Sequence, residues 1–241
     1  MFSVTNPIKI QQKVFHFFKI FHFLIKVPEP LSEKISNNIE SKFIRGLRVT
    51  DKKIINIVES VLIDFNNDIV DSLKRFGTDA ISIHTKKNNI IEVTPEAKEL
   101  GFVGIPKKIN NDLIEKILNQ KQVPIVSPLG LGNDNHPYNI NGDTAAGAIA
   151  KSLKSRRLLL MTNVEGVLDK DKKLINEITS TEILKMVENN IITEGMIPKI
   201  NTCLDAVKNG VTAVGIIDGR KQHSILFEIF SDKGSGTLIR K

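Results

Sequence analysis

The stretch TAAGAIAKSLKSRRLLLMT, residues 144–162, joins an alanine-rich segment to a short run of apolar residues. The alanine-rich part predicts a helix over Thr144–Leu153, and the apolar run predicts a buried strand over Leu158–Thr162. A strand that is apolar on both faces is typical of a parallel sheet covered by helices. The stretch therefore predicts an α/β fold.

The rest of the chain repeats this alternation of helix and strand. Helical spacing is found over Asp51–Asn66, Ile69–Phe76, Ile109–Gln120, Ser180–Asn189 and Lys199–Lys208, with a shorter helix over Ser32–Asn38 and Gly77 as a helix terminator. Strands are predicted over Val123–Ser127 and Ala213–Ile217, and Ala80–Ile83 and Ile90–Val93 are predicted to form a hairpin across the turn Lys86–Asn89. Ser224–Phe230 is compatible with either structure. The pattern predicts a mostly parallel central sheet covered by helices on both faces.

Composition limits the class of protein. At 241 residues, with 41% apolar and 25% charged residues, the chain suits one large α/β domain or two small ones and is not wholly disordered. The net charge of +7 raises the question of a nucleic-acid surface, but no run of five basic residues exists, so we predict no nucleic-acid partner. The single cysteine, Cys203, predicts a packing residue in a reducing, cytoplasmic setting.

The first residues are unusual, because Val14–Val27 reads VFHFFKIFHFLIKV. The run is too short to cross a membrane and is interrupted by Lys19 and Lys26, so we predict no membrane span. No small-residue cleavage site follows, which argues against a signal peptide. A membrane-surface helix, a docking helix, an edge strand and an aberrant segment produced by a frameshift or a misassigned start remain open.

Two loops that lead into helices carry candidate site residues. In Tyr138–Thr144, Asn141 or Asp143 serves as a helix cap, but Asn139 and Asn141 at alternate positions exceed what capping needs. In the second loop, Lys199 falls in the first turn of a helix, where the helix dipole disfavours a cation. A bound anion would explain that lysine, so the loop suggests a phosphate site.

Two other segments have both a structural and a functional interpretation. The strand at Leu158 ends in a polar turn, Asn163–Leu168, which is an ordinary strand exit or a surface for a nucleotide. Arg48 follows Gly46 and precedes a helix capped by Thr50 or Asp51. Its guanidinium is either solvated or binds a carboxylate with two parallel hydrogen bonds.

Taken together and in order, several motifs resemble the N-acetylglutamate kinases of the amino-acid kinase family. They are GLRVTD (Gly46–Asp51), LGFVG (Leu100–Gly104), YNINGDTAAGAIA (Tyr138–Ala150), NVEGVLD (Asn163–Asp169), GMIPKI (Gly195–Ile200), IIDGR (Ile216–Arg220), LFEIF (Leu226–Phe230) and GTLI (Gly236–Ile239). The resemblance implies a three-layer αβα sandwich over residues 39–241, whose N-terminal half binds the acyl amino acid and whose C-terminal half binds ATP. It also implies phosphorylation of the side-chain carboxylate of N-acetyl-L-glutamate, a step of arginine biosynthesis, with Mg²⁺ carried by ATP.

The resemblance also implies roles for single residues. Lys199 would stabilise the migrating phosphoryl group, and Asp143 would organise the catalytic ammonium groups. Arg48, Asn139 and Asn141 would bind the substrate. The nucleotide would be lined by Asn163, Val164, Gly166, Val167, Leu168, Ile192 and Thr193.

Residues 1–38 depart from the family pattern. The family begins with K-x-G-G and a later Gly-Gly-Gly turn, whereas here no glycine precedes Gly46 and Pro28 and Pro30 lie near the position of that turn. Asp68 stands where a lysine is usual, and Asn163 where an aspartate is usual. The first strands are therefore expected to be altered or missing and catalysis to be impaired. The alternatives are an inactive ligand-binding or regulatory subunit, a decayed gene product, or another amino-acid kinase.

The family also suggests assembly and regulation. Its arginine-regulated members form hexamers through an N-terminal helix, so a homo-oligomer, dimer or hexamer, is expected. His223, Glu228 and Gly234–Gly236 resemble the part of those enzymes that senses arginine, which makes arginine a candidate effector.

Overall fold

The computed structural model describes residues 42–44, 47–192, 196–231 and 234–241. The helix predicted over Ser32–Asn38, the phenylalanine-rich segment and the expectation of altered first strands lie outside the described residues. Thr193 also lies outside them.

Helices and strands alternate along the chain. The strands are β1 (Phe43–Ile44), β2 (Leu47–Arg48), β3 (Ala80–Ile83), β4 (Ile91–Pro95), β5 (Gly104–Ile109), β6 (Val123–Val126), β7 (Leu129–Leu131), β8 (Pro137–Asn139), β9 (Arg157–Thr162), β10 (Glu177–Thr179), β11 (Ala213–Asp218) and β12 (Gly236–Arg240). The helices are α1 (Lys52–Arg75), α2 (Asn111–Asn119), α3 (Gly142–Ser152), α4 (Ser180–Glu188), α5 (Ile197–Lys208) and α6 (Ser224–Phe230). The segment that was compatible with helix or strand is thus the helix α6.

The predicted α/β class is confirmed, and the sheets are mixed. In the C-terminal half, the strand order is β10-β12-β11-β9; β11 is parallel to β9 and antiparallel to β12. In the N-terminal half, β5-β4-β7-β8 form one sheet, and β3 pairs with β6 in parallel. The expected parallel pairing is therefore found between β3 and β6 and between β9 and β11. The pairs β4 with β5 and β7 with β8 are antiparallel.

The predicted hairpin between Ala80–Ile83 and Ile90–Val93 is wrong. β3 pairs with β6, and β4 pairs with β5 and β7. A turn does form, with an isolated bridge between His84 and Lys87, but the strands on its two sides enter different sheets. The reason is burial: β3 is largely and β6 wholly buried, so these apolar strands pair with each other. β4 alternates between buried and exposed residues and takes an antiparallel partner.

One continuous helix, α1, covers the two helical segments predicted between residues 51 and 76. Asp51 caps it, because its Oδ1 accepts hydrogen bonds from the backbone N–H groups of Lys53 and Ile54, both 2.8 Å long. Gly77 follows the helix with a φ of +79° and confirms the predicted terminator. No helix in the described part of the chain is long and apolar enough to cross a membrane.

Helix α3 packs against two hydrophobic cores. Ala145 and Ile149 belong to the core of the N-terminal half, whereas Ala146 and Ala150 belong to the core of the C-terminal half. Small side chains let α3 lie close to both layers, so the alanine-rich stretch places the start of this helix between the two halves of the fold.

Candidate active site

Helices α3 and α5 lie side by side and run in the same direction. Asp143 contacts Lys199 near their N-termini, and Lys151 forms an ion pair with Asp205 further along. Between these pairs the helices approach closely, since a Cβ atom built on Gly147 would lie 3.0 Å from Thr202 Cγ2. Because each helix leads through a short connection into one of the parallel strands β9 and β11, both N-termini lie at the edge where those strands end.

The ion pair between Lys199 and Asp143 lies at these paired N-termini. The distance from Lys199 Nζ to Asp143 Oδ2 is 2.5 Å, and the two side chains are 13% and 32% exposed. Lys199 is in the first turn of α5, as predicted, and the carboxylate of Asp143 offsets the unfavourable helix dipole there. An ammonium group has three donors, so the bond to Asp143 leaves Lys199 able to bind a second anion.

The loop before α3 carries Asn139 and Asn141, which have different environments. The side chain of Asn141 caps α3, because its Oδ1 accepts a hydrogen bond of 3.1 Å from the backbone N–H of Thr144. Capping therefore accounts for Asn141 without a ligand, which is the structural interpretation predicted for this residue. Asn139 ends β8, is half-buried and lies four residues before Asp143 in the sequence. The loop thus joins a predicted substrate residue to the ion pair.

Arg48 lies at the end of β2, just before α1. It is half-buried, and its guanidinium carbon lies 4.9 Å from the centre of the Phe43 ring. Burial lowers the pKa of the Arg48 guanidinium from its usual value, although an arginine stays charged throughout the physiological range. The backbone carbonyl of Arg48 accepts a hydrogen bond of 2.9 Å from the hydroxyl of Thr50.

The segment Leu100–Gly104 lies between the residues that follow Arg48 and the end of β8. The N–H of Phe102 donates to Thr50 O at 2.7 Å, and the N–H of Asn139 donates to Phe102 O at 2.9 Å. Gly101 has a φ of +68°, and a Cβ atom there would lie 2.4 Å from Thr50 O, so only glycine fits. The motif thus fixes the backbone near Arg48 relative to that of Asn139.

The turn Asn163–Leu168 follows β9 at the same edge as the helix N-termini. Asn163 is exposed, and Val164 and Leu168 are apolar side chains that are 38% and 37% exposed. Gly166 and Val167 between them are buried. The exposed side chains of Val164 and Leu168 form an apolar surface of the kind that packs against a flat aromatic base. Of the other predicted nucleotide residues, Ile192 packs its side chain into the core, so only its backbone remains to face a ligand.

Asp218 and Arg220 are candidate site residues that the sequence interpretation left without a role. Asp218 ends β11 opposite Thr162, the last residue of β9. Arg220 donates to both carboxylate oxygens of Asp218, over 3.0 and 2.9 Å. These hydrogen bonds hold the pKa of Asp218 below its usual value. In the sequence, the motif IIDGR (Ile216–Arg220) indicated these two residues, because its polar part directly follows a buried strand.

Cys203 lies one turn after Lys199 on α5 and is fully buried. Burial raises the pKa of its thiol to about 12, so the thiolate is not available as a nucleophile. The predicted packing role of this residue is confirmed.

The C-terminal segment that resembles an arginine sensor surrounds Glu228 on α6. Glu228 is 7% exposed, and its Oε2 accepts a hydrogen bond of 2.9 Å from the backbone N–H of Ser235. Arg157 Nη1 lies 3.6 Å from Oε1 of the same carboxylate. His223 precedes the helix with a φ of +60°. The carboxylate of Glu228 is thus held by Arg157 and by the backbone of Ser235.

Comparison with known proteins identifies the class to which this site belongs. The profile of the amino acid kinase family matches residues 20–218. The chain therefore belongs to the amino acid kinase family.

The relatives narrow this assignment. The chain is 55% identical over 210 residues to the acetylglutamate kinase of Pelagibacter ubique, covering 87% of this chain and 73% of the relative. It is 47% identical over 209 residues to that of Clostridioides difficile, covering 85% and 73%. A crystal structure of a Streptococcus mutans protein superposes with a TM-score of 0.78 at 29% identity, over 100% of this chain and 93% of that one. Within the family, the chain groups with the acetylglutamate kinases.

Proposed function

We propose that this chain transfers the γ-phosphoryl group of ATP to the side-chain carboxylate of N-acetyl-L-glutamate, giving N-acetyl-L-glutamyl 5-phosphate for arginine biosynthesis. The observation that carries the proposal is the Lys199–Asp143 pair at the adjacent N-termini of α3 and α5. The identity of 55% to an acetylglutamate kinase supports the choice of substrate. We assign the activity to a domain of residues 39–241, with a substrate-binding N-terminal half and an ATP-binding C-terminal half.

The chemistry requires two anions to approach each other. A carboxylate oxygen of the substrate attacks the γ-phosphorus, and the bond from that phosphorus to the oxygen bridging to the β-phosphate breaks, which releases ADP. Negative charge accumulates on the transferred group and on the leaving oxygen. Lys199 neutralises part of this charge, and the backbone N–H groups at the two helix N-termini contribute further positive potential. Asp143 holds the ammonium group in place and so limits its reorganisation during transfer.

On the acceptor side, Arg48 and Asn139 bind the substrate. The guanidinium of Arg48 binds the α-carboxylate with two parallel hydrogen bonds, and the side-chain amide of Asn139 binds the acylated nitrogen and its carbonyl. Asn141 contributes mainly by capping α3, which fixes Asp143. The hydrogen bonds through Leu100–Gly104 keep the backbone near Arg48 in register with Asn139.

On the donor side, the exposed side chains of Val164 and Leu168 provide an apolar surface for the adenine ring. The backbone of Gly166 and Val167 supports this surface from below, Asn163 supplies a polar side chain at its edge, and Ile192 continues the lining with its backbone. Thr193, the remaining residue expected to bind the nucleotide, lies outside the described residues. Mg²⁺ would be carried by ATP, and phosphate oxygens and water would supply most of its ligands, since the carboxylate of Asp143 is already bonded to Lys199. When bound, it screens the phosphate charges.

Acceptor preference tests the proposed substrate. Hydroxylamine traps acyl phosphates as hydroxamates, which form coloured complexes with ferric ion, so the purified chain is supplied with MgATP and either N-acetyl-L-glutamate, L-glutamate or L-aspartate. The proposal predicts the highest kcat/KM for N-acetyl-L-glutamate. A preference for either free amino acid would instead indicate one of the sister kinases of the family.

We also propose a homo-oligomer that works in the cytoplasm and is inhibited by arginine at the Glu228 site. Light scattering on the purified chain measures its mass, and a monomer would contradict the assembly. Activity measured with arginine at millimolar concentration tests the effector. Inhibition that disappears in Glu228→Gln would support this role, and activity unaffected by arginine in the wild-type chain would exclude it.

A further inference from the structure

A buried hydroxyl lies behind the proposed nucleotide surface. Thr237 on β12 is 1% exposed. Its Oγ1 accepts a hydrogen bond of 2.8 Å from the backbone N–H of Val167 and donates one of 2.6 Å to the backbone carbonyl of Ile175. One side chain thus joins the last strand of the chain to both arms of the loop that follows β9.

The backbone of this loop lies close to the Thr237 hydroxyl at Gly166. Gly166 has a φ of +151°, and a Cβ atom there would lie 2.5 Å from Thr237 Oγ1. Any other residue at this position would push the loop away from β12. The close approach explains the glycine of the NVEGVLD motif by packing against Thr237, without reference to a ligand.

The same contacts fix the residues that face solvent. The N–H of Ile175 donates to Val167 O at 2.9 Å, and Leu168 forms a bridge with Leu174, so the loop is closed at its base next to Thr237. The exposed residues Val164 and Leu168 flank Val167 in the sequence and belong to the same anchored loop. Their spacing therefore depends on where Val167 is held.

We propose that Thr237 is a positioning residue for the nucleotide: its hydroxyl sets the position of Gly166 and Val167 and thereby the surface formed by Val164 and Leu168. The proposal rests on the proposed ATP-binding role of this loop. Without the hydroxyl, the N–H of Val167 and the carbonyl of Ile175 lose a partner in a buried environment, and the loop must move outward to reach water. Binding of ATP should weaken, while binding of the acceptor, which is assigned to the other half of the fold, should not.

Two substitutions separate this role from general stability. Thr237→Val keeps the shape of the side chain and removes both hydrogen bonds, whereas Thr237→Ser keeps the hydroxyl. Ser82→Ala is the matched control. Ser82 also has a buried hydroxyl group and is 4% exposed, and it donates a hydrogen bond of 2.5 Å to Asn66 Oδ1, far from this loop. KM for ATP, KM for N-acetyl-L-glutamate, the Kd of ADP measured by calorimetry, and Tm are recorded for each.

We expect Thr237→Val to raise KM for ATP and the Kd of ADP about tenfold, equivalent to about 1.4 kcal/mol. KM for N-acetyl-L-glutamate should stay at the wild-type value, Thr237→Ser should restore nucleotide binding, and Ser82→Ala should lower Tm alone. The proposal is overturned if Thr237→Val lowers Tm without changing ADP binding, or if both KM values rise together. A wild-type chain that binds ADP but makes no acyl phosphate would refute the proposed kinase activity, while the Kd series would still test Thr237.

Discussion

Replacing Lys199 by methionine should abolish most of the catalysis and leave the fold intact. Methionine fills a similar volume but removes the ammonium group that lies 2.5 Å from Asp143 Oδ2. The site then loses the cation proposed to stabilise the transferred phosphoryl group. Removing one positioned donor to a developing anion costs about 10²–10³-fold in kcat, or roughly 3–4 kcal/mol of transition-state stabilisation.

The cost in stability should be smaller. The carboxylate of Asp143 is 32% exposed, so solvent compensates for part of the lost ion pair. We expect the free energy of unfolding to fall by about 1–3 kcal/mol, the usual range for a polar group that loses its partner. Adding Asp143→Asn to Lys199→Met removes the unpaired charge, and the double variant should regain stability without regaining kcat.

The matched control is Lys151→Met on the same pair of helices. Lys151 and Asp205 are 31% and 52% exposed, so the loss of this pair should cost at most about 1 kcal/mol. The assay is hydroxamate formation at saturating MgATP and N-acetyl-L-glutamate, with urea unfolding of each variant. Lys199→Met with wild-type kcat, or Lys151→Met with an equal loss of kcat, would refute the assignment of Lys199.

Three further outcomes follow from other contacts. Gly101→Ala should raise KM for N-acetyl-L-glutamate and lower Tm, because the new Cβ would lie 2.4 Å from Thr50 O. An unchanged KM would show that the segment Leu100–Gly104 does not position the substrate-binding residues. Cys203, with a thiol pKa of about 12, should react with a thiol reagent at pH 8 only after urea unfolding, and rapid labelling of the native chain would contradict its burial. Burial, reinforced by neighbouring lysines, lowers the pKa of His84 below 6.5, so protonation favours the unfolded chain and stability should fall as pH drops below that value. His84→Gln should flatten this dependence, and an equally steep fall in the variant would place its origin elsewhere.

Local sequence patterns predicted most elements but not how they pair. The residues that became α1, α3, α5 and β11 have the expected periodicity and terminators, and the structure places those elements within two residues of their predicted bounds, except that α1 extends through the predicted break after Asn66. The pairing of β3 with β6 was missed, because two short apolar strands carry no information about which partner each will take. The Lys86–Asn89 turn gave a local signal for a hairpin, and the burial of both strands outweighed it.

The candidate site shows the same division. Lys199 was recognisable from its charge at a helix N-terminus, and the structure places Asp143, 56 residues away, against it. That contact depends on the packing of α3 beside α5, which no local window contains. Thr237 belongs to the motif GTLI, but the sequence indicated no role for it, because its significance comes from the hydrogen bond donated by Val167, 70 residues away.

The most direct test of the central claim is single-turnover formation of acyl phosphate by the purified chain. A stoichiometric amount of enzyme is mixed with γ-labelled ATP, Mg²⁺ and N-acetyl-L-glutamate, and the label is followed in the hydroxylamine-sensitive product. The proposed function predicts transfer of the label to N-acetyl-L-glutamate by the wild-type chain and about 10²–10³-fold slower transfer by Lys199→Met. Tight binding of ATP and N-acetyl-L-glutamate with no transferred label would contradict it and indicate a ligand-binding subunit.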